Sequence, residues 1–514
     1  MSETPQTSEG SVDSSNGMMP QVIRGSIWTV VGNFGPLLVS PLATPFTIRL
    51  LGVDGYGAFS LIGILPAYLG FADLGMGMAS TKFGSESFRE ADSRSESSAV
   101  WTSALVATFF ALPIVLLLLV FSSEVVNAFA IPANILADTT KALQISAVSL
   151  FVGFLNSIFN TPQLSRLRMD LNAAITSLPR MLSVASIPVV LYYGGGLTGA
   201  ASVVLTANLL TLAGHLHSSH SLLPELRSIR IDLSLVRPLL LFGSGMALTS
   251  IAAVLLTHME KVILAVTVSV QSLAFYAVAA NLAGLLTIVS SAMSQSLIPA
   301  FVRLQRDELL PEREVMFQRA TKIALLTFLP MMATLLSVAG PLLRLWAGEE
   351  IGLRGVAPLY VIVAGLMFNL MAFVPLASLM AEGKTHLLAK LYWIELVPYS
   401  IMVWYLSSHY AELGAAAAWT VRVIADASLL FYLNFKSTGL KPTLPAPKGF
   451  LLGAAVLAVP ILLTTMKDLS SWWTLFALVA SLVLYGFIVV FALLTESERF
   501  WVRGIFKGGS KKPQ

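Results

Sequence analysis

Five stretches of this chain, Ala104 to Phe121, Pro238 to Met259, Ile323 to Leu343, Gly355 to Ala381 and Ser470 to Thr495, contain no Asp, Glu, Lys or Arg. Runs of about 20 apolar residues match the roughly 30 Å of hydrocarbon in a bilayer. Lipid offers no partner for backbone N–H and C=O groups, so only helices and closed barrels cross it. A barrel would read as alternating segments of about 10 residues. These runs are longer and do not alternate, so the fold class expected is all-α integral membrane. With 56% hydrophobic and 12% charged residues, the 514-residue chain lacks the charge to cover a soluble surface.

Charged or Gly/Pro-rich breaks divide the chain into about 14 spans. The expected limits are 24–46, 57–80, 98–121, 142–162, 172–193, 196–215, 238–259, 272–299, 321–343, 355–380, 386–408, 413–433, 449–467 and 471–495. With loops numbered alternately and residues near span ends counted with the adjoining loop, about 24 of the 32 Lys and Arg fall at the termini and even loops, against 6 in odd loops and 2 inside spans. Basic residues stay on the cytoplasmic side, so both termini are expected in the cytoplasm. The same rule explains the net charge of +4 without invoking nucleic acid. The Ser-rich, acidic start has no basic, apolar signal pattern, so the first span is expected to direct insertion. The absence of Cys removes disulfides, thiolate metal sites and thiol catalysis.

A repeat is also visible. Gly199-Ala200-Ala201 opens the sixth span and Gly414-Ala415-Ala416 the twelfth, 215 positions on; Tyr56 and Tyr276 begin the second and eighth, 220 apart. Two pseudo-symmetric six-helix lobes follow as an expectation, at 23–220 and 236–436. A disordered cytoplasmic tail at 1–22, two additional helices within 448–496 and a basic cytoplasmic tail at 497–514 complete the expected organisation.

The wording from Trp28 to Glu86 is more specific. Its Leu51-Gly52-x-x-Gly55-Tyr56-Gly57 turn and Asp73-Leu74-Gly75 motif, with the Gly-Ala-Ala openings and the acid-base pair Glu260-Lys261, resemble the bacterial polysaccharide and oligosaccharide flippases. Those belong to the multidrug/oligosaccharidyl-lipid/polysaccharide exporter superfamily. The resemblance implies a two-lobed bundle that moves an undecaprenyl-pyrophosphate-linked glycan across the bacterial inner membrane by alternating access. It implies no enzyme activity and no cofactor beyond a coupling Na⁺ or H⁺. Membrane lipids, a polysaccharide polymerase and glycosyltransferases are the expected partners. A Na⁺/H⁺-coupled multidrug exporter and a lipid II flippase stay open as alternatives. A membrane glycosyltransferase is a third, disfavoured because the longest outer loop expected, 122–141, holds no domain.

Moving phosphates and hydroxyls past hydrocarbon needs a hydrated route with cations, and an ionisable group at mid-helix costs roughly 2.5–3.5 kcal/mol unless it faces protein or water. Arg180, Arg422, Arg49, Arg24 and Lys261 are therefore the candidate cargo-binding cations. Asp426, Glu395, Glu260 and Asp73 are the candidate coupling or structural carboxylates. Arg422 and Asp426 stand at i,i+4 and can neutralise each other on one helix face. Arg180 can hold a phosphate or acidic sugar bidentately, or brace the kink at Pro179. Asp73 reads as a helix-end turn. Pro36, Pro41 and Pro45 are expected to break and bend the first span. His215, His217 and His220 are expected in a cytoplasmic loop. No metal site and no G-x-x-x-x-G-K-[ST] loop are expected.

Overall fold

A computed structural model describes residues 13–440, 447–464, 471–496 and 498–499. The described residues are helical with short connections and contain no strand. The protein is a multi-pass all-α membrane protein. Among the described residues, ten helices are long and apolar enough to cross a membrane by length and composition. Fourteen passes emerge from them because Thr385–Thr438 holds two and three others come in shorter or broken pieces. Thr385–Thr438 folds back at Ala411 (φ 48°) into spans 11 and 12. The second span is 53–68 plus Met76–Arg89, the eighth is Val270–Gly284 plus Thr287–Arg303, and the thirteenth is Pro447–Leu463.

Two of the sequence expectations change. Backbone angles stay helical through Pro36, Pro41 and Pro45, and the interruption in Asp13–Tyr68 falls at Gly52 (φ 70°). The 122–141 connection is largely helical, with Ser122–Asn127 followed by Ala133–Phe159. The tails expected at 1–22 and 497–514 lie mostly outside the described residues, as does the side chain of Arg24.

On the third span, small residues mostly face protein and large apolar ones face outward. On Ser93–Val120, Ser97, Val100, Ala104, Ala107 and Ala111 are buried at helical spacing, while Leu105, Phe109, Leu112 and Leu116 are exposed. Lipid gives no hydrophobic drive to bring helices together, so close backbone approach by small side chains does that work. Gly57 is an extreme case, because a Cβ there would stand 1.8 Å from the Val270 carbonyl oxygen.

The chain divides into two compact units, Met1–Ala274 and Phe275–Gln514. In the first, Glu96 at the start of span 3 forms a bidentate pair with Arg166 after span 4, at 2.6 and 3.1 Å. Ser97 Oγ and Trp101 Nε1 donate to the carbonyls of Glu225 and Leu226, after span 6. In the second unit, Arg313 at the start of span 9 pairs with Glu382 after span 10 at 2.9 Å and donates to the Thr438 carbonyl, at the end of span 12. The opposite helix ends match as well. Asp138 accepts from Leu197 N at 2.6 Å and Thr198 N at 3.1 Å, and Arg354 pairs with Glu412 at 2.9 Å. Glu96 and Arg313 lie 217 positions apart, Arg166 and Glu382 216, and Asp138 and Arg354 216. The Glu96–Arg166 clasp recurs at the sequence repeat with both signs inverted, and a cation, Arg354, stands where the first unit has Asp138.

Spans 13 and 14 stand outside this repeat and dock on span 9. Tyr485 donates to the Leu326 carbonyl at 3.2 Å, Lys322 pairs with Glu498 at 2.6 Å, and Leu457 and Tyr485 pack on Ala333.

Candidate functional site

Polar side chains recur at helical spacing on three apolar helices of the first unit. Ala133–Phe159 and its C-cap carry Ser146, Ser149, Gly153, Asn156 and Asn160 on one stripe. Met169–Tyr192 carries Thr176, Arg180 and Ser183, and Gly196–Leu222 carries Asn208, Thr211 and His215. Separations of three and four residues put each set on one face. The stripes converge on two cavities of about 820 and 450 Å³. Gly153, Ser157, Asn160, Val204 and Asn208 line both, so the two adjoin as one chamber.

The break in span 2 supplies another wall. Asp73 accepts from Gly75 N at 2.9 Å and Gly77 N at 3.5 Å, satisfying donors at the start of Met76–Arg89. Gly75 turns the chain at φ 70°, and a Cβ there would meet the Gly243 carbonyl oxygen at 2.5 Å. Only glycine combines that backbone angle with that approach. Asp73 lines the chamber, but its oxygens serve the helix end.

Hydrogen bonds fix the remaining walls. Asn156 Nδ2 donates to the Asn208 carbonyl at 3.2 Å, and Asn208 Nδ2 to Ser149 Oγ at 2.7 Å. His215 Nδ1 meets Gln163 Oε1 at 2.8 Å, its Nε2 lies 3.4 Å from Thr176 Oγ1, and Ser219 Oγ donates to the Phe159 carbonyl at 2.6 Å. Gln163 Oε1 can only accept, so His215 carries its proton on Nδ1. The loop expected around His215, His217 and His220 is instead the end of Gly196–Leu222, with His215 only 1% exposed. Beside it, Gly214 lets Gly196–Leu222 approach Ile175 of Met169–Tyr192 closely, a Cβ there falling 2.8 Å from the Ile175 side chain.

Arg180 has a side chain on the wall of the smaller cavity and makes no ion pair or hydrogen bond among the described residues. It is the one Lys or Arg lining either cavity, as Asp73 is the one carboxylate. Arg180 is an exposed residue, and its guanidinium, without a protein partner among the described residues, is available to an anionic guest.

The other candidates separate into distinct places. In the second unit, Glu395 and Asp426 are buried, at 7% and 6% exposure, within electrostatic reach of each other and of Arg422. The Arg422 guanidinium lies 5.4 Å from the centre of the Tyr399 ring. One cation thus serves two carboxylates. In the first unit Glu260 is buried at 2% exposure and acts on Tyr68, while Lys261 Nζ lies 3.5 Å from His258 Nδ1. Arg49 is exposed and lines neither cavity. The span-4 and span-6 stripes escaped a search confined to ionisable residues. Their signal was nonetheless present in the i, i+3, i+4, i+7 spacing of Ser, Thr and Asn within apolar runs.

Comparison with known proteins gives consistent findings. The model of a family described as "Polysaccharide biosynthesis protein" matches residues 47–351. The "Putative O-antigen transporter" of Shigella flexneri is 25% identical over 419 residues, covering 80% of this chain and 97% of that protein. Among solved structures, the lipid II flippase MurJ in an inward closed conformation shares the fold with a TM-score of 0.72 at 15% identity, over 93% of this chain and 100% of that one. An inward-facing multidrug resistance MATE family transporter of the MOP superfamily has a TM-score of 0.66 at 14% identity, over 80% of this chain and 98% of its own.

Proposed function

Because the chain belongs to the family of polysaccharide biosynthesis proteins, we propose that it is a flippase. It moves a polyprenyl-pyrophosphate-linked oligosaccharide, an O-antigen or exopolysaccharide repeat unit, across the bacterial inner membrane by alternating access. The observation that carries this reading is the polar chamber sunk in an apolar helical unit, with the unpartnered cation Arg180 on its wall. A sugar chain cannot cross hydrocarbon without losing its hydrogen bonds to water. Amides and hydroxyls lining a wide cavity replace them. The name of the Shigella flexneri relative, similar over nearly its whole length, supports this cargo class. In this reading both termini are cytoplasmic, glycosyltransferases act before the flip and the polymerase after it.

Arg180 contacts the cargo in this reading, with Arg49 and Lys261 as further candidate cations. Glu395, Asp426 and Arg422 form the coupling group. Two buried carboxylates sharing one guanidinium leave a negative charge that a proton or Na⁺ neutralises. Export measured in a strain whose only copy carries Arg180→Ala tests the reading. Loss of surface polymer with normal amounts of protein in the membrane is expected, and unchanged export would remove Arg180 from the route.

A further inference from the structure

Glycines of the first unit divide into two kinds. A Cβ at Gly77 would stand 2.4 Å from Ser157 Oγ, and one at Gly84 2.5 Å from Thr161 Cγ2, so a side chain is missing at these positions because helices touch there. Gly153 is different. It lies inside Ala133–Phe159, lines both cavities and has no left-handed backbone, yet a Cβ placed on it meets nothing within 4 Å. A glycine inside a helix costs stability relative to alanine. Neither close packing nor backbone geometry offsets that cost at Gly153, and what the position supplies is an empty volume on the chamber wall. Hydrogen-bonding groups surround that gap. Ser149 and Ser157 stand one turn before and one turn after Gly153 on the same face, Asn156 three positions on, and Asn208 reaches across from span 6. Asn208 Nδ2 donates to Ser149 Oγ at 2.7 Å and Asn156 Nδ2 to the Asn208 carbonyl at 3.2 Å, which holds the rim in place. Each amide keeps a second hydrogen, and Ser157, whose hydroxyl hydrogen goes to the Phe154 carbonyl at 2.7 Å, keeps its acceptor lone pairs. Donors and acceptors both remain on the rim.

From this arrangement we infer that Gly153 opens a seat for one uncharged pyranose ring of the glycan, which makes it a specificity-determining residue of the chamber. The inference rests on the flippase reading and names the part of the cargo that this wall receives. A pyranose presents a flat face of C–H groups edged by hydroxyls. The bare helix takes the face, and the mixed rim takes the hydroxyls, each of which both donates and accepts. A carboxylate or phosphate only accepts, and would leave the acceptors of the rim without a donor. A sugar with its ring opened carries hydroxyls too, but loses more conformational freedom when it is held.

The test uses the full chain in nanodiscs and two probes: the repeat-unit oligosaccharide released from the surface polymer of the host cell, and the same oligosaccharide with its rings opened by periodate and borohydride. The intact probe should bind about tenfold or more tighter than the opened one. Gly153→Ala, which adds one methyl to open space, should stay within about threefold of the natural chain, while Gly153→Leu should lose about tenfold or more for the intact probe. Gly63 on span 2 lines the larger cavity as well, with nothing within 4 Å of a Cβ, but it stands beside apolar Ile62 and Pro66. Gly63→Leu should therefore leave binding within about threefold. Equal losses in Gly63→Leu and Gly153→Leu would mean crowding of the whole cavity, and a full loss in Gly153→Ala would mean a bending point in span 4. Either result overturns the inference, as does a Gly153→Leu chain that fails to fold, because the open space would then not be there. Natural binding and natural export by Gly153→Leu would remove the seat and leave the flippase reading standing. If the natural chain bound neither probe, and its deletion left polymer export unchanged, both readings would fall.

Discussion

Removing one partner of the Glu96–Arg166 clasp should destabilise the first unit far more than its single lost contact suggests. The Glu96 side chain is 1% exposed and that of Arg166 16%, and two parallel N–H···O bonds of 2.6 and 3.1 Å join them. Arg166 also stacks over Phe88 at 4.5 Å. Arg166→Ala strands a carboxylate in a site that water does not reach, at a cost of about 3–5 kcal/mol. Glu96→Gln costs less, because a neutral amide still accepts from Arg166, and about 1.5–3 kcal/mol is expected for the lost charge-assisted bond. The double variant Glu96→Gln, Arg166→Ala should come out more stable than the sum of the single losses predicts, by about 0.5–3 kcal/mol, since it leaves no charge of the pair unpaired. Equilibrium unfolding of the purified chain in mixed detergent, read by tryptophan emission, gives all three values. Losses that add within about 0.5 kcal/mol, or a loss below 1 kcal/mol for Arg166→Ala, would refute the argument that the buried charge sets the cost.

Gly75→Ala should lower the yield of folded protein sharply. It combines a φ of 70° with a Cβ placed 2.5 Å from the Gly243 carbonyl oxygen, and strain of at least about 1–3 kcal/mol is expected before any shift of span 7; fluorescence size-exclusion profiles report it. Glu395→Gln and Asp426→Asn should each abolish the response of transport in proteoliposomes to an imposed proton or sodium gradient while sugar binding persists, and a gradient response that survives both changes would remove the pair from coupling. Since the natural chain has no Cys, Ser123→Cys should react with an impermeant maleimide on intact spheroplasts. Ser228→Cys should react only after permeabilisation, and the reverse pattern would invert the topology.

The backbone solution was legible from residues alone, because lipid leaves few ways to satisfy peptide groups and long charge-free runs select the helix among them. Small residues at the openings of spans 6 and 12 likewise disclosed the repeat. Partner choice was not legible. Glu96 and Arg166 are 70 residues apart and look like unrelated loop charges until spans 3 and 4 bring them within 2.6 Å. Prolines signalled a break in the first span, yet its backbone stays helical through all three, since a proline can stay within a helix where its missing donor is tolerated, and the chain turns at Gly52, in the motif expected to follow that span, where a positive φ favours glycine.

For the chamber the division is the same. Helical spacing alone placed Ser, Thr, Asn and Arg180 on single faces of spans 4, 5 and 6, but spacing does not say whether a polar face meets lipid, another helix or a void. Packing decided that the three stripes converge, that Asp73 is spent on a helix end and that His215 is sealed among hydrogen bonds. Side-chain chemistry is carried by each residue, whereas enclosure is a property of several helices at once, and only the folded unit creates it.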